Sequence, residues 1–207
     1  MSDRIEFIYF DLGRVIVNFD NDRMCRQMAE VSGVSSDRVR EILFTTGLQR
    51  AFELGEITPD QFYQKYCDFL GKRVDKDALS AAANDIFWLN LPMLPLVAQL
   101  QAARWPLGIL SNTCSIHFEW CRNHYAILQK GFRCYALSCE LHALKPDFAI
   151  FDAAARLAGI PPERIFFTDD IPAHTEAARK FGYNAVAFES ARQLAGELRA
   201  RGIRVNY

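Results

Sequence analysis

The stretch "RIEFIYFDLGRVIVNFD", residues 4–20, decides the fold of this 207-residue chain. Its apolar run over residues 5–10 is continuous rather than alternating, which is typical of a parallel strand covered on both faces. The run ends at Asp11, and Gly13 follows two residues later. Because ligands of a parallel sheet collect beyond the carboxyl ends of its strands, Asp11 marks a predicted functional edge.

The rest of the chain alternates between strand and helix patterns. Near-continuous apolar segments that predict strands occur at 106–112, 133–138, 164–170 and 184–189. Helical patterns lie between them at 92–104, 115–127, 147–158 and 174–181. This alternation predicts an α/β fold, a three-layer α/β/α sandwich with a mainly parallel, Rossmann-like sheet.

The alternation stops between residues 19 and 88, where capped helical patterns follow one another. The clearest of them has Thr58 as N-cap, Pro59 in the first turn, Gln61 completing a capping box and Gly71 as the stop signal. We therefore predict a small helical cap domain inserted after strand 1. The predicted cap covers residues 19–88, and the predicted core domain covers residues 1–18 and 89–207.

The composition narrows the possible partners. The chain has 24 Lys and Arg against 25 Asp and Glu, so it has no general basic field that would favour nucleic acid. It contains no apolar stretch of membrane-spanning length, and its start lacks the pattern of a signal peptide. We expect a cytoplasmic monomer or homodimer that binds neither nucleic acid nor membrane, with its six cysteines reduced.

Polar side chains follow four of the predicted strands. These residues are Asp11, Ser111, Asn112, Lys145, Asp169 and Asp170. Three close carboxylates repel one another strongly unless a cation lies among them. Oxygen ligands alone favour Mg²⁺. A cation beside Lys145 and Ser111 would form a receptor for phosphate, and this joint placement on successive strands is the main functional signal.

Four ordered motifs carry a resemblance to a known family. They are "FDLGRVIV" (10–17), "LSNT" (110–113), "KPD" (145–147) and "FFTDD" (166–170). Together they resemble the haloacid dehalogenase (HAD) superfamily of hydrolases. The first two are most similar to the branch that contains glucose-1-phosphatase and the N-terminal phosphatase domain of epoxide hydrolases.

The resemblance implies a role for each motif residue. Asp11 would be the nucleophile that forms an aspartyl-phosphate, and Lys145 would neutralise the phosphate and orient Asp11. Ser111 and the region of Asn112 would bind phosphate oxygens. The implied Mg²⁺ ligands are Asp11, the backbone carbonyl of Gly13, Asp169 and Asp170. The expected activity is Mg²⁺-dependent hydrolysis of a small, sugar-phosphate-like metabolite.

Gly13 departs from the superfamily pattern. Most phosphatases of this superfamily have Asp at this position, where it protonates the leaving group and then activates water. General acid–base catalysis contributes about 10²–10⁴-fold, so its loss is serious but not fatal. We expect leaving groups that need little protonation, such as anomeric or aryl ones, to be favoured. Arg14 either adds positive charge near the leaving group or is a structural arginine.

Other candidate residues carry two interpretations each. His174 either touches the water shell of the metal or only begins the following helix. Arg50 and Glu53 either face the substrate from the cap or lie on a segment that joins two helices. One further group has a spacing that suggests zinc at first sight: Cys114, His117, Cys121 and His124. Ligands along a single helix do not converge tetrahedrally, so we interpret this group as the inner face of a helix.

Two alternatives to the phosphatase remain open at this stage. A metal-free 2-haloacid dehalogenase also uses a nucleophilic Asp, but it has no metal for Asp169 and Asp170 to hold. A catalytically weak relative that binds a phosphate ligand or a partner is favoured by Gly13. The retention of the other motifs, including the nucleophile, weighs against it.

Overall fold

The computed structural model describes residues 4–207. Its strands are Phe7–Phe10 (β1), Val17–Phe19 (β2), Phe87–Leu89 (β3), Leu107–Ser111 (β4), Cys134–Leu137 (β5), Ile165–Asp169 (β6) and Asn184–Ala187 (β7). Five of them form one sheet in the order β5–β4–β1–β6–β7, and every neighbouring pair is parallel. The five strands predicted from the sequence are the five strands of this sheet.

Helices cover both faces of the sheet and form the cap. They are Asn21–Ser32 (α1), Ser36–Arg40 (α2), Leu48–Glu53 (α3), Pro59–Leu70 (α4), Lys76–Asn84 (α5), Met93–Ala102 (α6), Ser115–His124 (α7), Ser138–Leu141 (α8), Phe148–Ala158 (α9), Pro172–Phe181 (α10) and Ala191–Ala200 (α11). On β1, Ile8 and Phe10 pack in the core with α6 and α11, whereas Phe7 and Tyr9 pack with α9 and α10. Alternate residues thus enter two separate cores, and the predicted three-layer α/β fold is confirmed.

A short antiparallel ribbon connects the core to the cap. β2 pairs with β3 so that Val17 lies opposite Leu89 and Phe19 opposite Phe87. The sequence did not predict this ribbon, because strands of three residues leave no periodic pattern. The proposed boundaries between residues 18 and 19 and between 88 and 89 fall inside it and stay a prediction. Residues 1–3 of the predicted core segment lie outside the described residues.

The cap has its own apolar cluster, formed mainly by α1 to α5. The predicted capping box is present on α4: the Gln61 amide donates to the Thr58 hydroxyl at 3.2 Å, and the Thr58 amide donates to the Gln61 side chain at 2.9 Å. Residues 35–47 contain α2 and a π-helical turn, Glu41–Thr45, rather than one continuous α-helix. Gly47 then takes a left-handed φ of 78° and begins α3, which ends at Glu53 beside the core.

Two simple findings complete the fold. In residues 4–207, no helix combines the length and the apolarity needed to cross a bilayer. The six cysteines are free thiols, and four of them are buried. The reduced state predicted for the cysteines therefore agrees with their positions.

Candidate active site

Neighbouring strands bring the predicted polar residues to one edge of the sheet. Asp11 directly follows β1, whose neighbours β4 and β6 end at Ser111 and Asp169. Lys145 reaches the same edge from the loop between α8 and α9. Asp11, Ser111, Asp169 and Lys145 are all buried. The joint placement predicted from the strand order is therefore what the structure shows.

Lys145 lies at the centre of this edge. Its Nζ lies 2.9 Å from Asp11 Oδ1 and 2.5 Å from Asp169 Oδ2, and it also donates to the Leu110 carbonyl at 3.1 Å. The three protons of the ammonium group thus face three oxygen atoms. Although burial opposes the charged form, the Asp11 and Asp169 carboxylates raise the pKa of Lys145. The two carboxylates therefore stabilise Lys145 as a buried cation.

The two carboxylates on Lys145 differ in their environments. Burial raises the pKa of Asp11 to about 6, and the Asp169 charge adds to this against the opposing effect of Lys145. Burial would also raise the pKa of Asp169, but Lys145 and His174 together lower it. Both oxygens of Asp169 lie 3.1 Å from His174 Nδ1, and Oδ1 also accepts from the Ile171 amide at 2.8 Å. Asp169 is the more firmly ionised of the two.

His174 and Asp170 complete the acidic side of the site. His174 lies in the first turn of α10 and also contacts Asp169, so it does more than begin a helix. Asp170 has Arg14 as its charged neighbour, with Nε and Oδ2 separated by 3.8 Å. Burial and the Asp169 charge raise the pKa of Asp170. Asp170 is the least paired carboxylate of the cluster.

Three carboxylates are close enough to hold one cation. Ligand atoms of Asp11, Asp169 and Asp170 lie within 4.8 Å of one another, and this is the only such His, Cys, Asp or Glu group in residues 4–207. Oxygen donors without sulfur or imidazole fit the hard ion Mg²⁺. The three carboxylates therefore fit the predicted cofactor.

The Cys and His residues of α7 form no metal site. Cys114 and Cys121 are buried, but His124 is exposed and stacks on Trp120 with ring centroids 3.9 Å apart. The prediction of an inner helix face is thus wrong for His124, because the helix ends there and its ring reaches the surface. His117 instead lines a cavity described below.

Asn112 has a different side-chain partner from the one expected. Its Nδ2 donates to the Lys145 carbonyl at 2.9 Å, and the Lys145 amide donates to its Oδ1 at 2.8 Å. The side chain of Asn112 therefore holds the loop that carries Lys145. The phosphate contact of Ser111 and the region of Asn112 stays a prediction.

A cavity of about 590 Å³, including its opening to solvent, lies between this edge and the cap. Its core side includes Gly13 and Ser111. Its other polar lining residues are Asn21, Gln49, Glu53, Asn112, Thr113 and His117. Glu53 also lines an adjoining cleft with Arg50, Asn112 and Lys145.

Some lining residues were expected and others were not. The cap segment that was predicted to face the site does so through Glu53, and Arg50 lies at the adjoining cleft. Asn21, Gln49 and His117 were missed as lining residues. Each of them lies on a helix, and no local pattern in the sequence marks the side that meets the cavity.

Gly13 is enclosed by an aromatic side chain. A Cβ atom added at Gly13 would lie 2.9 Å from Cε1 of Phe19, closer than real contacts allow. The Phe19 ring of β2 therefore fills the space into which an acidic side chain would project. Arg14 adopts a left-handed φ of 58°, and its guanidinium lies 5.5 Å from the centre of the Phe19 ring. Arg14 packs on Phe19 and faces Asp170, while most of its side chain stays exposed.

Comparison with known proteins identifies relatives that share this fold. No family model matches the chain. The chain is 24% identical over 185 residues to the D-ribitol-5-phosphate phosphatase of Bacteroides thetaiotaomicron, covering 86% of this chain and 89% of that protein. A HAD family enzyme of the same organism, solved with magnesium and inorganic phosphate, superposes with a TM-score of 0.80 at 27% identity. That match covers 90% of this chain and 95% of the other.

More distant structures share the fold alone. A predicted HAD-like hydrolase of Porphyromonas gingivalis has a TM-score of 0.79 at 22% identity over 98% of this chain and 99% of its own.

The fold and the site thus define a capped α/β enzyme with an acidic centre at the strand ends. The chain is a hydrolase of the haloacid dehalogenase superfamily, as its four motifs predicted. The narrower resemblance to the glucose-1-phosphatase branch stays a prediction.

Proposed function

We propose that this hydrolase is a Mg²⁺-dependent phosphatase that acts on a small sugar-phosphate-like or polyol-phosphate-like metabolite through an aspartyl-phosphate on Asp11. The observation that carries the proposal is the carboxylate cluster of Asp11, Asp169 and Asp170 beside Lys145, next to a cavity between the core and the cap. The phosphatase class and the magnesium cofactor, both predicted from the sequence, are confirmed by the relatives. The substrate and the covalent intermediate are the proposal.

Asp11 is oriented for attack by its hydrogen bonds. The Leu12 amide donates to Oδ1 at 2.7 Å, and Lys145 Nζ lies 2.9 Å from the same oxygen. This leaves Oδ2 as the atom that attacks phosphorus while the bond to the leaving oxygen breaks. Water then cleaves the aspartyl-phosphate and regenerates the carboxylate. Lys145 stabilises the negative charge that gathers on the phosphoryl oxygens.

The hydrogen bonds and ion pairs of each carboxylate indicate which of them would bind Mg²⁺ directly. Mg²⁺, when bound, offsets the repulsion between the anionic nucleophile and the anionic substrate. Asp170 is the least paired carboxylate, so we assign it as a direct ligand together with Asp11 and the backbone carbonyl of Gly13. Both oxygens of Asp169 already accept hydrogen bonds, so Asp169 mainly holds Lys145 and adds negative charge near the ion.

Two features support a polyhydroxylated substrate. The cavity is lined by amide, hydroxyl, carboxyl and imidazole groups that pair well with hydroxyl groups. A relative over most of the chain is named for its action on D-ribitol 5-phosphate. A cytoplasmic location and a monomeric or homodimeric state remain predictions.

The direct test is a screen of sugar phosphates and polyol phosphates with Mg²⁺, with Asp11→Asn as the blank. We expect phosphate release by the wild type, loss of at least about 10⁴-fold in the variant, and loss in chelator. Acid quenching during turnover should trap a phosphoprotein in the wild type alone. Equal turnover by Asp11→Asn would contradict the proposal.

The two alternatives are separated when 2-haloacids are added to the screen and phosphate binding is measured alongside hydrolysis. Halide release from 2-haloacids that persists in chelator would indicate the dehalogenase. Phosphate binding without hydrolysis of any ester would indicate the weak relative that Gly13 favours.

A further inference from the structure

The proposed reaction needs a proton that Gly13 does not provide. When the bond between phosphorus and the leaving oxygen breaks, an ordinary alcohol leaves as a strongly basic alkoxide unless an acid protonates it. The Phe19 ring lies where an acidic side chain at Gly13 would be. For substrates of this kind, the proton must come from solvent or from another group that faces the cavity.

Few titratable groups meet the cavity between core and cap. Of the residues that line it within 4–207, Glu53 and His117 are the titratable ones. Lys145, at the adjoining cleft, already directs its three protons at Leu110, Asp11 and Asp169. Burial lowers the pKa of His117 to about 4, so its ring is neutral near pH 7 and holds no acidic proton.

Glu53 has the opposite tendency. Burial raises its pKa above the ordinary glutamate value, against the opposing hydrogen bond from Gln49, so the protonated form is more populated than in an exposed glutamate. Gln49 Nε2 donates to Oε1 at 2.8 Å. That bond holds one oxygen of the carboxyl group and leaves Oε2 as the atom able to exchange a proton with a ligand.

Contacts with the core fix the position of Glu53 beside the sheet edge that carries Asp11 and Ser111. The buried Ser138 hydroxyl lies 2.6 Å from the Glu53 carbonyl and accepts from the Thr113 amide at 2.9 Å. A single hydroxyl thus links the end of α3 to the loop that follows Ser111. Close by, a Cβ added at Gly55 would lie 2.0 Å from the Cys139 carbonyl oxygen, so the backbones are in tight contact. These contacts keep the Glu53 backbone beside the site.

We propose that Glu53 is the acid and base of the reaction and stands in for the side chain that is absent at Gly13; the inference rests on the proposed phosphatase function. As Asp11 Oδ2 bonds to phosphorus and the leaving oxygen departs, Glu53 Oε2 gives its proton to that oxygen and an alcohol is released. In the second step Glu53 takes a proton from water. The water oxygen bonds to phosphorus, the bond from phosphorus to Asp11 breaks, and inorganic phosphate leaves.

The test compares leaving groups of different basicity in single-turnover reactions with Mg²⁺. The probes are p-nitrophenyl, phenyl and benzyl phosphate, whose leaving groups need progressively more protonation. In Glu53→Gln we expect the rate with benzyl phosphate to fall about 10²–10⁴-fold and the rate with p-nitrophenyl phosphate to fall less than about 10-fold. The slope of rate against leaving-group pKa therefore becomes steeper.

A second readout follows the other half of the cycle. Because Glu53→Gln also lacks the base for the water step, p-nitrophenol should appear in a burst equivalent to the enzyme, followed by slow release. Glu56→Gln is the matched control, since Glu56 is exposed on the same turn, and its slope should equal that of the wild type.

Three results would overturn the assignment. An unchanged slope in Glu53→Gln would show that Glu53 transfers no proton: unchanged rates would mean no role in the reaction, and an equal loss with all three esters would indicate a structural role. A wild-type protein that hydrolyses none of the esters would overturn the proposed phosphatase function and this role with it. Activity in the wild type with an unchanged slope in the variant would overturn the role of Glu53 alone.

Discussion

The two sides of the site are built in opposite ways. The core side, formed by Asp11, Lys145 and Asp169, is a buried ionic cluster in which each proton of the lysine faces an oxygen. The cap side, formed by Phe19 and Glu53, meets the same cavity through an aromatic ring beside Gly13 and a carboxyl group with one side-chain partner. In the two proposals made above, the core side carries the chemistry at phosphorus and the cap side carries the choice of leaving group.

The strongest way to break the core side is Lys145→Met. The substitution keeps a long side chain but leaves two buried carboxylates without their cation. We expect the free energy of unfolding to fall by about 3–5 kcal/mol in urea titrations with chelator present, together with loss of hydrolysis. The fall should shrink at low pH, where Asp11 can protonate.

Lys180→Met is the matched control for this prediction. Lys180 is exposed and pairs with Glu176 at 2.7 Å, so its removal should cost less than about 1 kcal/mol. A similar small cost for Lys145→Met would mean that the buried cluster contributes little to stability.

The cap side is tested by restoring the missing acid. Gly13→Asp alone brings Cβ against Phe19, so we expect a loss of about 1–3 kcal/mol in unfolding free energy. Adding Phe19→Leu should recover at least half of that loss. In the double variant the new carboxyl should lower the ratio of aryl-phosphate to alkyl-phosphate turnover relative to Phe19→Leu alone.

Gly196→Asp controls for the added charge, because a Cβ at Gly196 meets no atom within 4 Å. Gly196→Asp should leave the ratio of aryl-phosphate to alkyl-phosphate turnover unchanged, both alone and in combination with Phe19→Leu. If Gly13→Asp proves as stable as the wild type, the ring of Phe19 does not confine this position. An unchanged turnover ratio in the double variant would mean that an acid at residue 13 has no role in this protein.

The smallest expected effect concerns the imidazole at the cavity. Since burial lowers the pKa of folded His117 to about 4, the unfolded chain binds this proton first as the pH falls. Stability due to His117 is therefore complete above about pH 6.5 and is lost between about pH 6.5 and pH 4. His117→Gln should show a smaller drop in Tm across this window than the wild type.

His124→Gln on the same helix is the control, because its ring is exposed. Its Tm should follow that of the wild type across the window. Equal drops in Tm for His117→Gln and the wild type would show that the His117 ring titrates normally in the folded protein.

Much of the fold was predictable because its signals are local. The five buried strands are continuous apolar runs, and the cap helix that begins after Thr58 carries its own start and stop residues. The β2–β3 ribbon and the π-helical turn at Glu41–Thr45 were not predictable. The first needs a partner some 70 residues away in sequence, and the second is stabilised by packing in the cap.

The candidate site was likewise predictable only in part from the sequence. Asp11, Ser111, Lys145 and Asp169 were predicted because strand order alone brings strand ends together. The bonds between the Asn112 side chain and the Lys145 loop were not predictable, because the partner is the backbone of a loop 33 residues further on. His117 was noticed only as part of a spacing pattern, and its place at the cavity depends on how α7 packs against the cap.

By itself, the sequence determined the α/β sheet, the inserted helical region and the gathering of three carboxylates and a lysine at one sheet edge. The order of residues along the chain is sufficient for this, because a carboxylate that directly follows a buried parallel strand must lie at the carboxyl edge of the sheet. Only the tertiary structure decided that Phe19 fills the space beside Gly13 and that Ser138 holds Glu53 at the cavity. Those contacts join separate elements through side-chain volume and single hydrogen bonds, which leave no periodic trace in the chain.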